Sequence, residues 1–200
     1  CTFEPNHLAA AGPGPTVATV HDLSVLDHPV WHPAERVAWW ARALDEALAA
    51  TDRWIVPSRF TARRLAERLG VAPERIHVIP EAARTLPPPP EARRDAALRA
   101  VGLRPGFLLH LGTIEPRKNL PTLLDAWWAL PAALRAAHPL VLAGPVGWGP
   151  AAFWHGLVEH PAAGQVRIAG RVSDADAAAL LAAAAAVAVP SHYEGFGVRV

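Results

Sequence analysis

Short aliphatic and β-branched runs alternate along this chain with longer stretches rich in alanine and leucine, the pattern that feeds a parallel sheet through helical crossovers and predicts an α/β fold. The short runs predict strands at 16–20, 53–56, 75–79, 107–111, 140–143, 166–168 and 186–189. Between the first two, 34–50 reads as a helix in which Val37, Trp40, Ala41, Leu44 and Leu48 form one apolar stripe. A second helix starts after Ser58, an N-cap residue type, and stops at Gly70, where a left-handed turn suits glycine. Four consecutive prolines at 87–90 then break the alternation. They donate no backbone hydrogen bonds and hold the chain extended, so 85–104 is read as a linker with its own helix at 91–101 closing at Gly102. The alternation restarts beyond it, dividing the chain into parts of two α/β domains, 1–84 and 105–200.

Composition narrows the function classes. With 52% hydrophobic residues in 200, the chain has material for packed cores, and 19 basic against 18 acidic side chains supply no field that would draw nucleic acid. The one cysteine, Cys1, rules out an internal disulfide and a thiolate metal cluster, in keeping with a cytosolic setting. The alanine-rich run at 175–190 is too short for a membrane span and carries Asp176. No methionine is present and the chain opens on cysteine, so a piece of a longer protein is expected.

Ligands of open α/β sheets bind beyond the carboxyl ends of the strands, which directs attention to three loops. The segment L-H-L-G-T-I-E-P-R-K-N-L-P at 109–121 joins a strand to a glycine turn at Gly112, then to Arg117 and Lys118, with Asn119 as N-cap and Pro121 in the first helical turn. Two cations beside a helix N-terminus suit a diphosphate: arginine binds phosphate oxygens as a fork, lysine acts as a point charge, and no metal is needed. The segment V-P-S-H-Y-E-G-F-G at 189–197 places Glu194 at a strand end, where a carboxylate accepts hydrogen bonds from sugar hydroxyls, and flanks Phe196 with Gly195 and Gly197, which let backbone approach a ligand. The segment V-A-T-V-H-D-L at 17–23 puts His21 after the first strand, where imidazole hydrogen-bonds a sugar or steadies developing charge. Taken singly, each reads more readily as a solvated helix start, a glycine loop or a structural histidine.

Taken together and in order, they resemble the retaining family-4 glycosyltransferases of the glycosyl transferases group 1 superfamily, which have the GT-B fold. The likeness spans almost the whole chain, since V-P-S-R-F-T-A-R-R-L at 56–65, R-I-H-V-I-P at 75–80 and G-R-V-S-D-A-D-A-A-A-L at 170–180 are similar as well. The resemblance implies two Rossmann-like domains whose parallel sheets face a cleft, both incomplete here, with 1–84 from the acceptor side and 105–200 from the nucleotide-sugar side. It implies that Arg117 and Lys118 hold the donor diphosphate and that Glu194 contacts the donor sugar as the first glutamate of an E-x7-E motif. His21 would line the cleft from the opposite domain, and Gly112, Gly195, Phe196 and Gly197 would complete the donor contacts. The E-P-R-K-N form is most similar to a mannosyltransferase-like branch. The implied reaction moves a hexose from a GDP- or UDP-hexose to a saccharide or lipid-linked saccharide with retention, as in polysaccharide biosynthesis, with no metal or cofactor beyond the nucleotide sugar. The implied setting is the cytoplasm, at the inner face of the membrane. Departures from the family pattern are the second glutamate, which would fall past Val200, Arg199 in place of proline, and Glu81, Ala82 and Ala83 in place of an asparagine-glycine pair. A truncated remnant without catalysis and a GT-B nucleotide-sugar epimerase stay open as alternatives.

Other signals are assigned to structure. Asp174 and Asp176 follow Ser173 and read as helix-capping carboxylates. His28 and His32 are separated by Pro29 from the helix that would align them on a metal. The glycine-rich stretch at 144–149 lacks the lysine of a phosphate loop and reads as a turn. Arg59, Arg63, Arg64 and Arg68 form a helix face interrupted by Glu67, read as solvated, and the Trp39/Trp40 and Trp127/Trp128 pairs read as core and interdomain packing.

Overall fold

A strand apolar at every position has both faces covered, and the run at 140–143 is of this kind. In the structure, a computed structural model that describes residues 2–3, 14–82, 89–149, 157, 159–160 and 163–197, all four residues of Leu140–Ala143 are buried. Ala83, Pro87, Pro88 and Arg199 lie outside the described residues. Residues 1–83 group with Tyr193–Val198 as one compact unit, and 84–192 form another.

In the first unit, parallel strands β1 (Thr2–Phe3), β2 (Val17–Thr19), β3 (Arg53–Val56) and β4 (Ile76–Val78) lie in that order. Helices α1 (Ser24–Asp27), α2 (Ala34–Ala50) and α3 (Arg59–Leu69) connect them. Ala18, Val20, Trp54 and Val56 pack with Ala47 of α2 and Leu65 of α3. The buried edge of α2 is Ala43, Leu44 and Ala47, whereas Ala41 is exposed and Val37, Trp40 and Leu48 are half-buried. The predicted stripe is therefore rotated, because alanine is small enough to sit on either side and only contact with the sheet selects which alanines turn inward. The start of α3 is as expected: Ser58 Oγ accepts the Thr61 N–H, and Gly70 ends the helix at φ 66°.

The second unit has helices α4 (Glu91–Val101), α5 (Leu120–Trp128), α6 (Ala132–Ala137) and α7 (Asp174–Ala183), with strands β5 (Leu108–Leu111), β6 (Leu140–Ala143), β7 (Val166–Gly170) and β8 (Ala186–Val187). Alternate residues of β6 serve opposite layers. Leu140 and Leu142 meet Leu120, Leu124 and Trp127 of α5, while Val141 and Ala143 meet Leu98 of α4 and Leu180 and Ala183 of α7. Ser173 caps α7 through the Asp176 N–H, and Asp174 and Asp176 occupy its first turn, where carboxylates oppose the helix dipole. Of the tryptophans, Trp127 is 2% exposed and donates its indole N–H to the His138 carbonyl at 3.0 Å, but Trp39 is 41% exposed and contributes little to the core.

Strand order sets where the topology of this sheet reverses. All pairs are parallel in the order β7-β6-β5-β8, so the chain winds outward from β5 through β6 to one edge and returns to the other side of β5 as β8. The helix that follows β5 (α5) and the helix that precedes β8 (α7) cover opposite faces, so the β5/β8 boundary is the switch point at which open α/β sheets bind ligands.

Candidate functional site

Gly112, Arg117 and Lys118 stand in the loop after β5, at this switch point. Residues Pro116–Lys118 form a single 3-10 turn closed by Asn119 in a left-handed conformation, φ 54° and ψ 40°. Asn119 occupies the position before α5 but does not cap it with its side chain as the sequence suggested. The left-handed backbone turns its amide outward, to donate to the Pro190 carbonyl at 3.1 Å and accept from the Thr122 hydroxyl at 2.7 Å. The His192 N–H reaches the Arg117 carbonyl at 3.0 Å, so the loops after β5 and β8 are sewn together across the switch point.

Arg117 is braced by a neighbouring carboxylate. Glu115 Oε1 accepts from Arg117 Nη2 at 2.8 Å and from Nε at 3.2 Å, with the two side chains 16% and 6% exposed. Lys118 is 6% exposed, a burial that an ammonium tolerates only in polar company. The stretch at 144–149 is more than a turn, for it props the loop. Gly112 N–H donates to the Ala143 carbonyl, Ile114 pairs with Val146, and Gly147 N–H donates to the Ile114 carbonyl. A Cβ on Gly144 would lie 2.0 Å from the Gly112 oxygen, so glycine there lets two strand ends meet backbone to backbone. A separate cavity of about 500 Å3, edged by Arg93, Arg167 and Arg171, involves none of the predicted donor residues.

His21, Glu194, Gly195, Phe196 and Gly197 belong to the first unit. His21 follows β2 with its side chain 53% exposed, and its Nδ1 lies 2.6 Å from Glu81 Oε1. Glu81 stands where the family pattern has asparagine, so the departure noted in the sequence coincides with the histidine's carboxylate partner. Gly195 is buried, and a Cβ there would lie 1.8 Å from the His21 carbonyl oxygen. Its own carbonyl accepts from Ser58 Oγ at 2.5 Å and Thr61 Oγ1 at 3.2 Å. Phe196 is 43% exposed.

Arg59 and Arg63 of α3 are exposed as the sequence suggested, but Arg64 and Arg68 are engaged by a buried carboxylate. Asp27, its side chain 4% exposed, accepts from Arg64 Nε and Nη2 at 2.9 and 2.6 Å, pairs with Arg68 Nε at 3.0 Å and accepts from the Tyr193 hydroxyl at 3.0 Å. Amphipathic spacing revealed the basic face but not its partner, because Asp27 comes from a short helix distant in sequence. Burial pushes the Asp27 carboxyl up, but hydrogen bonds from Arg64 and Tyr193 and the charges of Arg64 and Arg68 outweigh it, leaving it below the ordinary 3.8. Burial and then the Asp27 bond raise the Tyr193 phenol above its usual range.

A carboxyl depressed on folding contributes stability above its unfolded value, which is lost as pH falls through the folded one. The stability difference between the parent and Asp27→Asn is therefore expected to be constant from pH 5 to 8, and to shrink below about pH 3.8. Urea titrations at pH 6 and pH 3 measure it, and an unchanged gap at pH 3 would contradict the assignment. Among the described residues, no group of three or more His, Cys, Asp or Glu is placed to hold a metal, and no helix is long and apolar enough to cross a membrane.

Comparison with known proteins places these loops in a family context. Residues 97–200 match the family Glycosyl transferases group 1, and residues 2–85 match Glycosyltransferase Family 4. The O-antigen chain mannosyltransferase B of Escherichia coli is 32% identical over 186 residues, covering 92% of this chain and 49% of that protein. The D-inositol 3-phosphate glycosyltransferase of Salinispora arenicola is 30% identical over 201 residues, covering 92% and 45%. The chain thus spans about half the length of the curated relatives it matches. Among solved structures, Anabaena Alr3699/HepE in complex with UDP-glucose superimposes with a TM-score of 0.68 at 19% identity, covering 90% of this chain and 48% of the other. WaaG, a glycosyltransferase involved in lipopolysaccharide biosynthesis, gives 0.67 at 19% identity, covering 95% and 56%.

Proposed function

This chain belongs to the glycosyl transferases group 1 family, and from that membership we propose that it is part of an enzyme transferring a hexose, with mannose favoured by its mannosyltransferase relatives, from a nucleotide diphosphate sugar to a saccharide hydroxyl, with retention at the anomeric carbon. The observation that carries this reading is the switch-point loop, where a buried Lys118 and a Glu115-braced Arg117 stand side by side in the turn before a helix. A pyrophosphate leaving group gains negative charge as its bond to the sugar breaks, and preorganised cations stabilise that charge more in the transition state than in the ground state.

In the proposed reaction the bond from the anomeric carbon to the donor phosphate oxygen breaks, the bond to the acceptor oxygen forms on the same face, and the acceptor proton passes to the leaving phosphate oxygen. Arg117 and Lys118 hold the diphosphate without a metal ion, and Gly112 lets backbone approach it. Glu194 accepts hydrogen bonds from the sugar hydroxyls, backbone groups at Gly195, Phe196 and Gly197 meet sugar and phosphate, and His21, oriented by Glu81, hydrogen-bonds the sugar. The donor is a GDP- or UDP-hexose. With a lipid-linked saccharide as acceptor, the enzyme would work from the cytoplasm at the inner face of the membrane.

The test supplies the full-length enzyme with GDP-mannose or UDP-glucose, with and without a mannose-containing oligosaccharide acceptor. Nucleoside diphosphate release and an α-linked product, read by mass spectrometry and the one-bond carbon–proton coupling at the anomeric carbon, are expected only with acceptor present. Inverted product overturns the stereochemistry. An epimerised donor, or nucleotide binding without turnover, overturns transfer itself.

A further inference from the structure

We propose that Tyr193, anchored by the buried Asp27 carboxylate that Arg64 and Arg68 hold, is a positioning residue that fixes Glu194 beside His21 for the transfer reaction. The inference rests on the reading of Glu194 as the donor-sugar carboxylate. It is carried by the immobilisation of the residues on both sides of Glu194.

On the amino-terminal side, Tyr193 is 6% exposed and its ring is met edge-on by Phe60 at 5.2 Å and by His28 at 5.7 Å, with His28 itself stacked on Trp31 at 4.0 Å. Its hydroxyl donates to an Asp27 carboxylate whose two oxygens are already engaged by two arginines. On the carboxyl-terminal side, the Gly195 carbonyl takes two hydroxyl donors, from the N-cap and the first turn of α3, and its Cα lies too close to the His21 carbonyl for any side chain. Ser58 serves twice, since the hydroxyl that accepts the Thr61 N–H also donates to Gly195. Glu194 is held between two pinned residues, one of them in direct contact with the backbone of the candidate histidine.

Stability alone does not account for this arrangement. Packing would need only the tyrosine ring, and ion pairs whose arginines are 27% and 46% exposed contribute little net stability, because solvent screens their attraction. What a carboxylate saturated by a bidentate arginine, a second arginine and a phenol does provide is geometry: each partner has one permitted place. Catalytic side chains need placement to about 0.5 Å, and a misplacement near 1 Å costs on the order of 10²-fold in rate.

The experiment is Tyr193→Phe in the full-length enzyme, which keeps the ring and removes only the hydroxyl. The expected result is a fall in kcat of about 10-fold, a partial misplacement on the same scale, with acceptor KM within about twofold and the melting temperature within a few degrees of the parent. Ser58→Gly supplies an independent arm, since glycine at an N-cap costs only a few tenths of a kcal/mol while the bond to Gly195 is lost. It is expected to lower kcat severalfold with donor-binding stoichiometry intact. A Tyr193→Phe enzyme that keeps kcat within twofold overturns the positioning role and leaves the transferase reading standing. Should Tyr193→Phe not fold, unchanged kcat in Ser58→Gly overturns it equally. A parent enzyme that transfers no hexose sinks the transferase reading first and this inference with it.

Discussion

Replacing Lys118 by alanine is expected to lower turnover by roughly 10²-fold or more, the cost of removing one preorganised group that stabilises an oxyanion. Lys118 is 6% exposed at the switch point, so its field on a bound diphosphate is little screened by water. Since truncation also removes packing, Lys118→Met is the companion variant: it keeps the length of the chain and discards the charge. Both should lose kcat together, whereas their melting temperatures should separate, with alanine the lower. Kinetics with the nucleotide sugar checks this, and near-parental turnover by the methionine variant would remove Lys118 from the mechanism.

The largest structural effect is expected from Gly144→Ala. An added methyl would sit 2.0 Å from the Gly112 oxygen and 2.5 Å from its carbonyl carbon, at a backbone φ of 143° that alanine rarely adopts. Neither obstacle is a flexible side chain, so relief requires moving one of two strand ends that the Gly144 N–H bond to Gly170 and the Gly112 N–H bond to Ala143 hold in place. Overlap and strain together put the loss at about 3–5 kcal/mol. Urea denaturation measures it. A loss below about 1 kcal/mol would mean that the loop yields freely, which is incompatible with a preorganised diphosphate site.

These two sites differ in how far the sequence announces them. Lys118 is the sole lysine and stands in a strand-turn-helix motif, so its placement at the strand-end switch point follows from the motif and the rule that α/β sheets bind at strand ends. Gly144 read as an ordinary turn, because what makes it intolerant of a side chain is Gly112, distant in sequence and near only once β5 and β6 pair in register. The arginines of α3 follow the same logic. Their spacing told of a basic face, and only the tertiary contact with Asp27 and Tyr193 turned two of them into an anchor. Asn119 was recognised as a helix-start residue from its type, yet its left-handed backbone redirects the side chain to Pro190.

Elements, their ends and their order are written locally in this chain. Alternation in the short runs yields β3 and β6 residue for residue, and Ser58, Ser173, Gly70 and Gly102 mark helix ends because capping depends on the few residues around each one. Which side of β5 receives β8, which carboxylate receives an arginine, and the grouping of Tyr193–Val198 with the first unit were decided by folding alone. Those outcomes depend on contacts between residues tens of positions apart, where partners compete for the same hydrogen bond or the same space, and no local pattern records which of them wins.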